Sequence, residues 1–306
     1  MGANKYQTEI DLENKNNSHT LIIDMVGGVK RVLEVGCASG YMSRALTERG
    51  CSVIGLEINP DAAREAMEFC EDVIVGDIEI FDLEGAIGQG KFDAITFGDV
   101  LEHLRDPVAT LRRIRPLLAP GGFVVTSLPN VAHGSVRLAL LKGRFDYTRL
   151  GLLDETHLRL FTLAGIRKMF SEAGMAMVQT MRVEVDIFAT EVKIRPEEFS
   201  PELIAEIESA PEARTYQFVT KAVVDDAFSA IQDLHDRARD LEVALRLAEQ
   251  RAEEAEQQLV ETTLLQEELA QTNDFLAQQR QRWDDLEKRF LMRMYRLVRR
   301  QKPPED

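Results

Sequence analysis

Three things are scarce in this sequence: cysteine, long apolar runs and positive charge. The three cysteines, Cys37, Cys51 and Cys70, show no C-x-x-C or metal-ligand spacing. That excludes a disulfide framework and a thiolate metal site, and an odd count fits a reducing cytosol. No apolar stretch approaches the roughly 20 residues needed to cross a bilayer. The opening segment, MGANKYQTEIDLENKNN, is polar and acidic, unlike a signal peptide. A cytoplasmic location is the expectation. Thirty-seven Lys and Arg stand against 52 Asp and Glu, a net charge of −15. Phosphate backbones are gripped by Lys and Arg, so nucleic acid is not an expected partner. Histidine is rare too, and the places where its five copies fall therefore carry information.

What is present divides into two regimes. From about residue 30 to 224, short apolar runs alternate with amphipathic stretches. Val32–Val35, Ser52–Leu56, Val73–Val75, Phe92–Phe97 and Gly122–Ser127 read as buried strands; Met42–Arg49, Pro60–Cys70 and Pro107–Leu118 read as helices between them. That rhythm predicts an α/β fold with a parallel sheet covered on both faces. Two further strand-like runs, Ala176–Val185 and Thr215–Val224, flank a short helix beginning near Ser200. The first domain is expected over residues 1–225.

The second regime, 226–300, has no glycine, and proline returns only at Pro303 and Pro304. Residues at alternating 3-4 spacing keep one heptad register, with Ile231, Leu245 and Leu259 at a and Leu234, Leu241, Leu269 and Leu276 at d. A coiled coil roughly 100 Å long and a parallel homodimer are the expectation. Asn273, at an a position, would fix a two-stranded register. From Arg280 the helix turns basic and amphipathic, which suits docking to a membrane surface or a membrane-bound glycosyltransferase. Such docking would make the protein peripheral at the inner membrane face.

The most specific signal is Val32-Leu33-Glu34-Val35-Gly36-Cys37-Ala38-Ser39-Gly40, between a strand and a helix. Small residues at such a turn let the backbone approach a ligand. Neither an intact G-x-G-x-x-G nor a G-K-[ST] is present, because Ala38 stands where a glycine would. Glu57 ends the next strand, where a carboxylate can accept bonds from both ribose hydroxyls. Asp77 ends the third, positioned for an adenine amino group. Phe97-Gly98-Asp99-Val100-Leu101-Glu102-His103-Leu104 follows the fourth, and Leu118-Ala119-Pro120-Gly121-Gly122 precedes the fifth.

In that order these segments resemble class I S-adenosylmethionine (SAM) dependent methyltransferases, over about residues 17 to 224. The resemblance implies a Rossmann-like seven-stranded sheet with an antiparallel last strand, supplied by Thr215–Val224. It also implies SAM as cofactor. Glu34 and Gly36 would line its methionyl end with Ala38 and Gly40 in the same turn, and Glu57 would hold the ribose. Asp77 and the Ile78 backbone would hold the adenine, while Asp99 and Val100 face the sulfonium.

An alcohol acceptor must lose a proton as the new bond forms, so a base is needed. His103, His133 and His157 fall on the cleft-side loops and are the candidates, with His19 a cover from the N-terminal helix. No metal-ligand cluster is visible in the spacing. The segment Pro129–Thr162 would roof the acceptor pocket, with Arg137, Arg144, Tyr147 and Arg159 as polar readers. This stretch resembles bacterial methyltransferases of polysaccharide and glycolipid assembly, which implies a sugar or glycolipid hydroxyl as acceptor. A quinone-like metabolite is the alternative acceptor, and a non-catalytic scaffold working through its coil is the alternative class.

Overall fold

The computed structural model describes residues 10–82, 85, 90–224, seven isolated positions between 245 and 269, and 273–294. Its chain contacts divide it into two units, Met1–Asp233 and Leu234–Asp306.

In the first unit, the chain runs through α1 (Ser18–Val26), β1 (Arg31–Val35), α2 (Tyr41–Glu48), β2 (Ser52–Glu57), α3 (Pro60–Ala66) and β3 (Asp72–Val75). It continues through β4 (Phe92–Gly98), α4 (Pro107–Ile114), β5 (Leu118–Pro129), α5 (Gly134–Leu141) and α6 (Leu163–Glu172). β6 (Met175–Glu184), α7 (Pro201–Ser209) and β7 (Thr215–Val224) complete it. The seven strands lie in the order β3-β2-β1-β4-β5-β7-β6. β1 to β5 pair in parallel, and β7 inserts antiparallel to both β5 and β6. The sheet is Rossmann-like, and its antiparallel strand is the one expected from the sequence.

Alternate residues of each strand serve opposite faces, as the two-residue period requires. Leu33, Val35, Ile95, Phe97 and Phe218 pack with Leu111 and Ile114 of α4 and Ile166, Met169 and Phe170 of α6. Val32, Val53, Ala94, Val125 and Val219 pack on the other face with Leu21, Ile22 and Met25 of α1 and Met42 and Leu46 of α2. Burial on both faces is why these strands read as continuous apolar runs.

A third apolar cluster lies apart from the sheet. Val136, Leu138 and Ala139 of α5 join Leu152, Leu153, Ile187, Val192 and Ile194, with Leu203, Ile204 and Ile207 of α7 against them. The cover therefore draws on two stretches of chain, one after β5 and one between β6 and β7. Only the first was expected from the sequence. In the second unit, residues 273–294 form a helix, α8, that exposes Leu276, Trp283, Phe290 and Met294 along one stripe. The expected heptads from 226 onward and the basic tail beyond 294 fall largely outside the described residues.

Candidate active site

The turn after β1 is built from backbone that few residues tolerate. Gly36 and Gly40 have φ of 74° and 80°, and Ala38, between them, has 47°. A Cβ on Gly36 would stand 2.5 Å from Val100 Cγ2, and one on Gly40 would stand 2.8 Å from the Ala66 backbone. The Gly36 amide donates to Leu56 O, which ties the turn to the end of β2. From that strand end, Glu57 accepts the Ala38 amide at one carboxylate oxygen (2.9 Å) and the Asn59 amide at the other (2.8 Å). Each oxygen keeps a further lone pair for a ligand.

Glu34 lies on β1 beneath the same turn, 1% exposed, with Ser43 Oγ donating to Oε2 at 2.5 Å. Burial pushes its carboxyl up to about 8, against the pull of the Ser43 hydrogen bond. An incoming ammonium group would reverse that, because it favours the ionised form. Asp77 sits two residues beyond β3, a correction to its expected place at the strand end. There it opens a turn, with Oδ1 accepting the Glu79 amide and the following Ile78 buried.

Asp99 follows β4 with φ of 54°, in the left-handed region. Ser127 Oγ and Gln217 Nε2 both donate to its Oδ1, at 2.7 and 2.8 Å, and the Asp99 amide donates to Ser127. Ser127 comes from β5 and Gln217 from β7. Sequence reading missed both, because only strand pairing brings them beside residue 99.

The histidines separate into different roles. His133 is fully buried and caps α5: its Nδ1 meets the Ser135 amide and hydroxyl, and its Nε2 contacts Val185 O at 3.1 Å. Both ring nitrogens are engaged within the fold, so the geometry gives it a structural place in contrast to the expected acceptor-side one. His103 and His157 stack edge to face with centroids 4.9 Å apart. Two backbone bonds create that meeting, since Leu158 N and Arg159 N both donate to Glu102 O at 2.9 Å. His103 Nδ1 contacts Thr156 O at 3.1 Å. A carbonyl can only accept, so Nδ1 carries the proton and Nε2 keeps its lone pair. Burial, then the neighbouring His103, lowers the pKa of His157. Glu102, next to His103 in the chain, is 1% exposed, its pKa raised well above the usual carboxylate range by burial and then by Asp99. Glu102, His103 and His157 can present donor atoms within 4.8 Å of one another. Spacing along the chain could not show that grouping, because His157 stands 54 positions beyond His103. On the far side His19 of α1 packs against Tyr41, its Nε2 3.3 Å from the phenol oxygen.

A family model described as a methyltransferase domain matches residues 14–180, more than half of the chain. The chain belongs to this methyltransferase family. Its cofactor is S-adenosylmethionine. Among curated proteins, the chain is 30% identical over 150 residues to a ubiquinone biosynthesis O-methyltransferase of Psychrobacter arcticus, covering 47% of this chain and 58% of that protein. A protein of the same description from Xanthomonas campestris pv. campestris is 31% identical over 118 residues, 38% of this chain and 49% of that one. The methyltransferase thus spans about half the length of the curated relatives it matches. A SAM-dependent methyltransferase structure from Archaeoglobus fulgidus is similar at 20% identity and TM-score 0.48, over 69% of this chain and 94% of that one.

Three of the four expected polar readers of the methyltransferase are held elsewhere. Arg137 donates to Ala132 O and Pro211 O, Arg144 pairs with Glu198 at 2.5 Å, and Arg159 donates to Arg105 O. They brace the cover. Tyr147 is exposed and stacks on Phe145. Among the described residues no helix is long and apolar enough to cross a membrane.

Proposed function

We propose that this SAM-dependent methyltransferase O-methylates a hydroxyl on a quinone-like ring. Glu34 and the turn Gly36–Gly40 would receive the methionyl end of SAM, Glu57 the ribose hydroxyls, and Asp77 with Ile78 the adenine. Asp99 and Val100 would then stand at the sulfonium. As the acceptor oxygen bonds to the methyl carbon, the carbon–sulfur bond breaks and its electron pair returns to sulfur, leaving S-adenosylhomocysteine. Alignment of oxygen, carbon and sulfur supplies much of the rate, and the hydroxyl proton is drawn off at the Glu102–His103–His157 cluster.

The observation that carries the O-methyl reading is the His103 tautomer fixed by Thr156 O, which keeps a basic nitrogen beside the Asp99 loop. The ring acceptor takes its support from two relatives described as ubiquinone biosynthesis O-methyltransferases. The sugar acceptor rested on the resemblance of the Pro129–Thr162 stretch, and three of that stretch's expected polar readers, Arg137, Arg144 and Arg159, have their guanidiniums engaged within the fold. The test is incubation of the full chain with SAM and either an ortho-dihydroxyphenyl lipid or a panel of sugars, with products weighed by mass spectrometry. Methyl on the ring oxygen supports the reading, and methyl on sugars alone overturns it. The exposed stripe of α8 supports a second proposal, that two chains pair through their C-terminal helices. Light scattering of the full chain tests it. Peripheral attachment at the inner membrane face through the basic end of that helix is likewise proposed, and sedimentation with anionic vesicles checks it.

A further inference from the structure

Gly55 stands inside β2, in register with Glu34 of β1. A glycine within a strand often marks a close approach, and here two sulfurs make it. A Cβ on Gly55 would stand 2.7 Å from Cys37 Sγ and 3.4 Å from Cys70 Sγ. The two thiols hydrogen-bond one another. Cys37 lies in the turn Gly36–Gly40 and is buried, while Cys70, just past α3, is half-buried. The Cys70 thiol also donates to Ser43 Oγ at 3.2 Å, and Ser43 Oγ donates to Glu34. One hydroxyl therefore joins the thiol pair to the carboxyl proposed for the methionyl end of SAM.

The two sulfurs differ chemically. The hydrogen bond from Cys37 brings the Cys70 thiol down to about 7, against the upward push of burial. Its nucleophilic thiolate is thus well populated near neutral pH. The same hydrogen bond, and then burial, push the Cys37 thiol up. Cys51, the third cysteine, is buried and donates to Gly27 O.

We infer that Cys37 and Cys70 form an oxidation site, which hydrogen peroxide converts into a reversible disulfide that weakens the hold of the Gly36–Gly40 turn on SAM. The Cys70 thiolate attacks one peroxide oxygen, the O–O bond breaks, and the departing hydroxide takes a proton to become water. Cys37 sulfur then attacks the sulfur of the Cys70 sulfenic acid. The S–O bond breaks, and its hydroxyl leaves with the Cys37 proton as a second water. Two thiols lose two electrons, and peroxide gains them.

A disulfide sets its sulfurs about 2.0 Å apart, closer than hydrogen-bonded thiols stand, so the turn is pulled. Cys37 sits between Gly36 and Ala38, whose amides anchor the turn to Leu56 O and Glu57. Ser43 loses its Cys70 donor as well. Bound SAM disfavours the disulfide by the same factor, because the coupling is reciprocal. Only this effect on SAM rests on the proposed reading of the turn.

The test treats the reduced full chain with hydrogen peroxide, removes the oxidant, and maps disulfides by mass spectrometry of an unreduced digest. Calorimetry then measures SAM affinity before and after a thiol reductant. A Cys37–Cys70 bond within one chain is expected, with Cys51 still free and SAM affinity lower by about tenfold or more, restored by the reductant. Cys70→Ser should bind SAM like the unaltered chain and lose no affinity on oxidation. In Cys37→Ala, which lacks the second thiol, dimedone should trap a sulfenic acid at residue 70. Thiols left free by peroxide, or a bond joining Cys70 of two chains, overturn the site. Loss of SAM binding on oxidation of Cys70→Ser overturns it too. A complete disulfide with SAM affinity unchanged overturns the control of the cofactor, and Glu57→Ala shows how far that failure reaches. If Glu57→Ala weakens SAM binding, this inference fails alone; if it does not, the reading of the turn as the cofactor's seat fails with it.

Discussion

Around β1 and β2, the groups that face the cleft lie within about two dozen residues of chain: Glu34, the Gly36–Gly40 turn and Glu57. Their geometry is fixed by neighbouring strand ends and by amides of the same two loops. Around β4, β5 and β7 the facing groups come from four separated stretches. Asp99 is steadied by Ser127 and Gln217, and the Glu102–His103 turn meets His157 only because residues 158 and 159 bind the Glu102 carbonyl. The first region is a local construction. The second is assembled by long-range packing across the sheet and its cover.

Glu57 gives the largest test of that contrast. Glu57→Ala removes the acceptor for two backbone amides and, on the proposed reading, for two ribose hydroxyls. Charged hydrogen bonds contribute about 1.5–3 kcal/mol each, so SAM affinity should fall by on the order of 100-fold or more. Calorimetric titration with SAM checks it. A change below about threefold would mean that the β1–β2 region does not hold the cofactor.

His133 tests the other region. The sequence placed it among three equivalent histidines, but the fold buries it as the cap of α5. His133→Ala should therefore lower unfolding free energy by about 2–3 kcal/mol, the sum of a lost cap and a stranded carbonyl. SAM affinity should be unchanged. Urea unfolding followed by circular dichroism reads the first and calorimetry the second. An unaltered midpoint with methyl transfer abolished would return His133 to the acceptor side.

How much was legible in the sequence follows the same division. The parallel strands were foreshadowed because apolar runs, turns and acidic strand ends are local signals, and the antiparallel β7 was implied by the family resemblance. Glu34 and Glu57 were readable because each ends or lines a strand beside a small-residue turn. Ser127, Gln217 and the meeting of Glu102 with His157 were not, since each depends on strand neighbours or loop closure across many residues. The arginines of the cover misled for a related reason. Guanidinium groups look like ligand readers in a sequence, yet here they cap loop carbonyls and pair with Glu198. Asp77 was displaced by only two residues, the ordinary uncertainty of a strand's end.

Glu34 sharpens the comparison through pH. Its carboxyl is raised to about 8 from an ordinary 4.5 by burial. Between those values the folded chain holds a proton that the unfolded chain has lost, so stability without SAM should fall as pH rises across the window. The ammonium of bound SAM favours the ionised form, so the stabilisation given by SAM should grow over the same range. In Glu34→Gln the slope in the free protein should flatten, apart from what Glu102 contributes in the same direction. Affinity for SAM should drop by about tenfold, one lost ionic hydrogen bond. Thermal melts across the window, with and without SAM, read both effects. A slope unchanged by the substitution would place the titrating group elsewhere.

The smallest expected effect is at Ala38, where the turn departs from an all-glycine pattern. Its φ of 47° puts a Cβ in the left-handed region, which costs an L-residue roughly 1–2 kcal/mol. Glycine there relieves that strain but brings more freedom to the unfolded chain, worth about 0.5–1 kcal/mol against it. Ala38→Gly should therefore stabilise the free protein by no more than about 1.5 kcal/mol. The Ala38 amide already donates to Glu57, and glycine keeps that bond, so SAM affinity should hardly move. If the variant instead bound SAM much more tightly, the alanine methyl would be standing in the cofactor's path. The β1–β2 region would then be tuned for release as well as for binding, and its sequence would carry a preference that strand geometry alone does not explain.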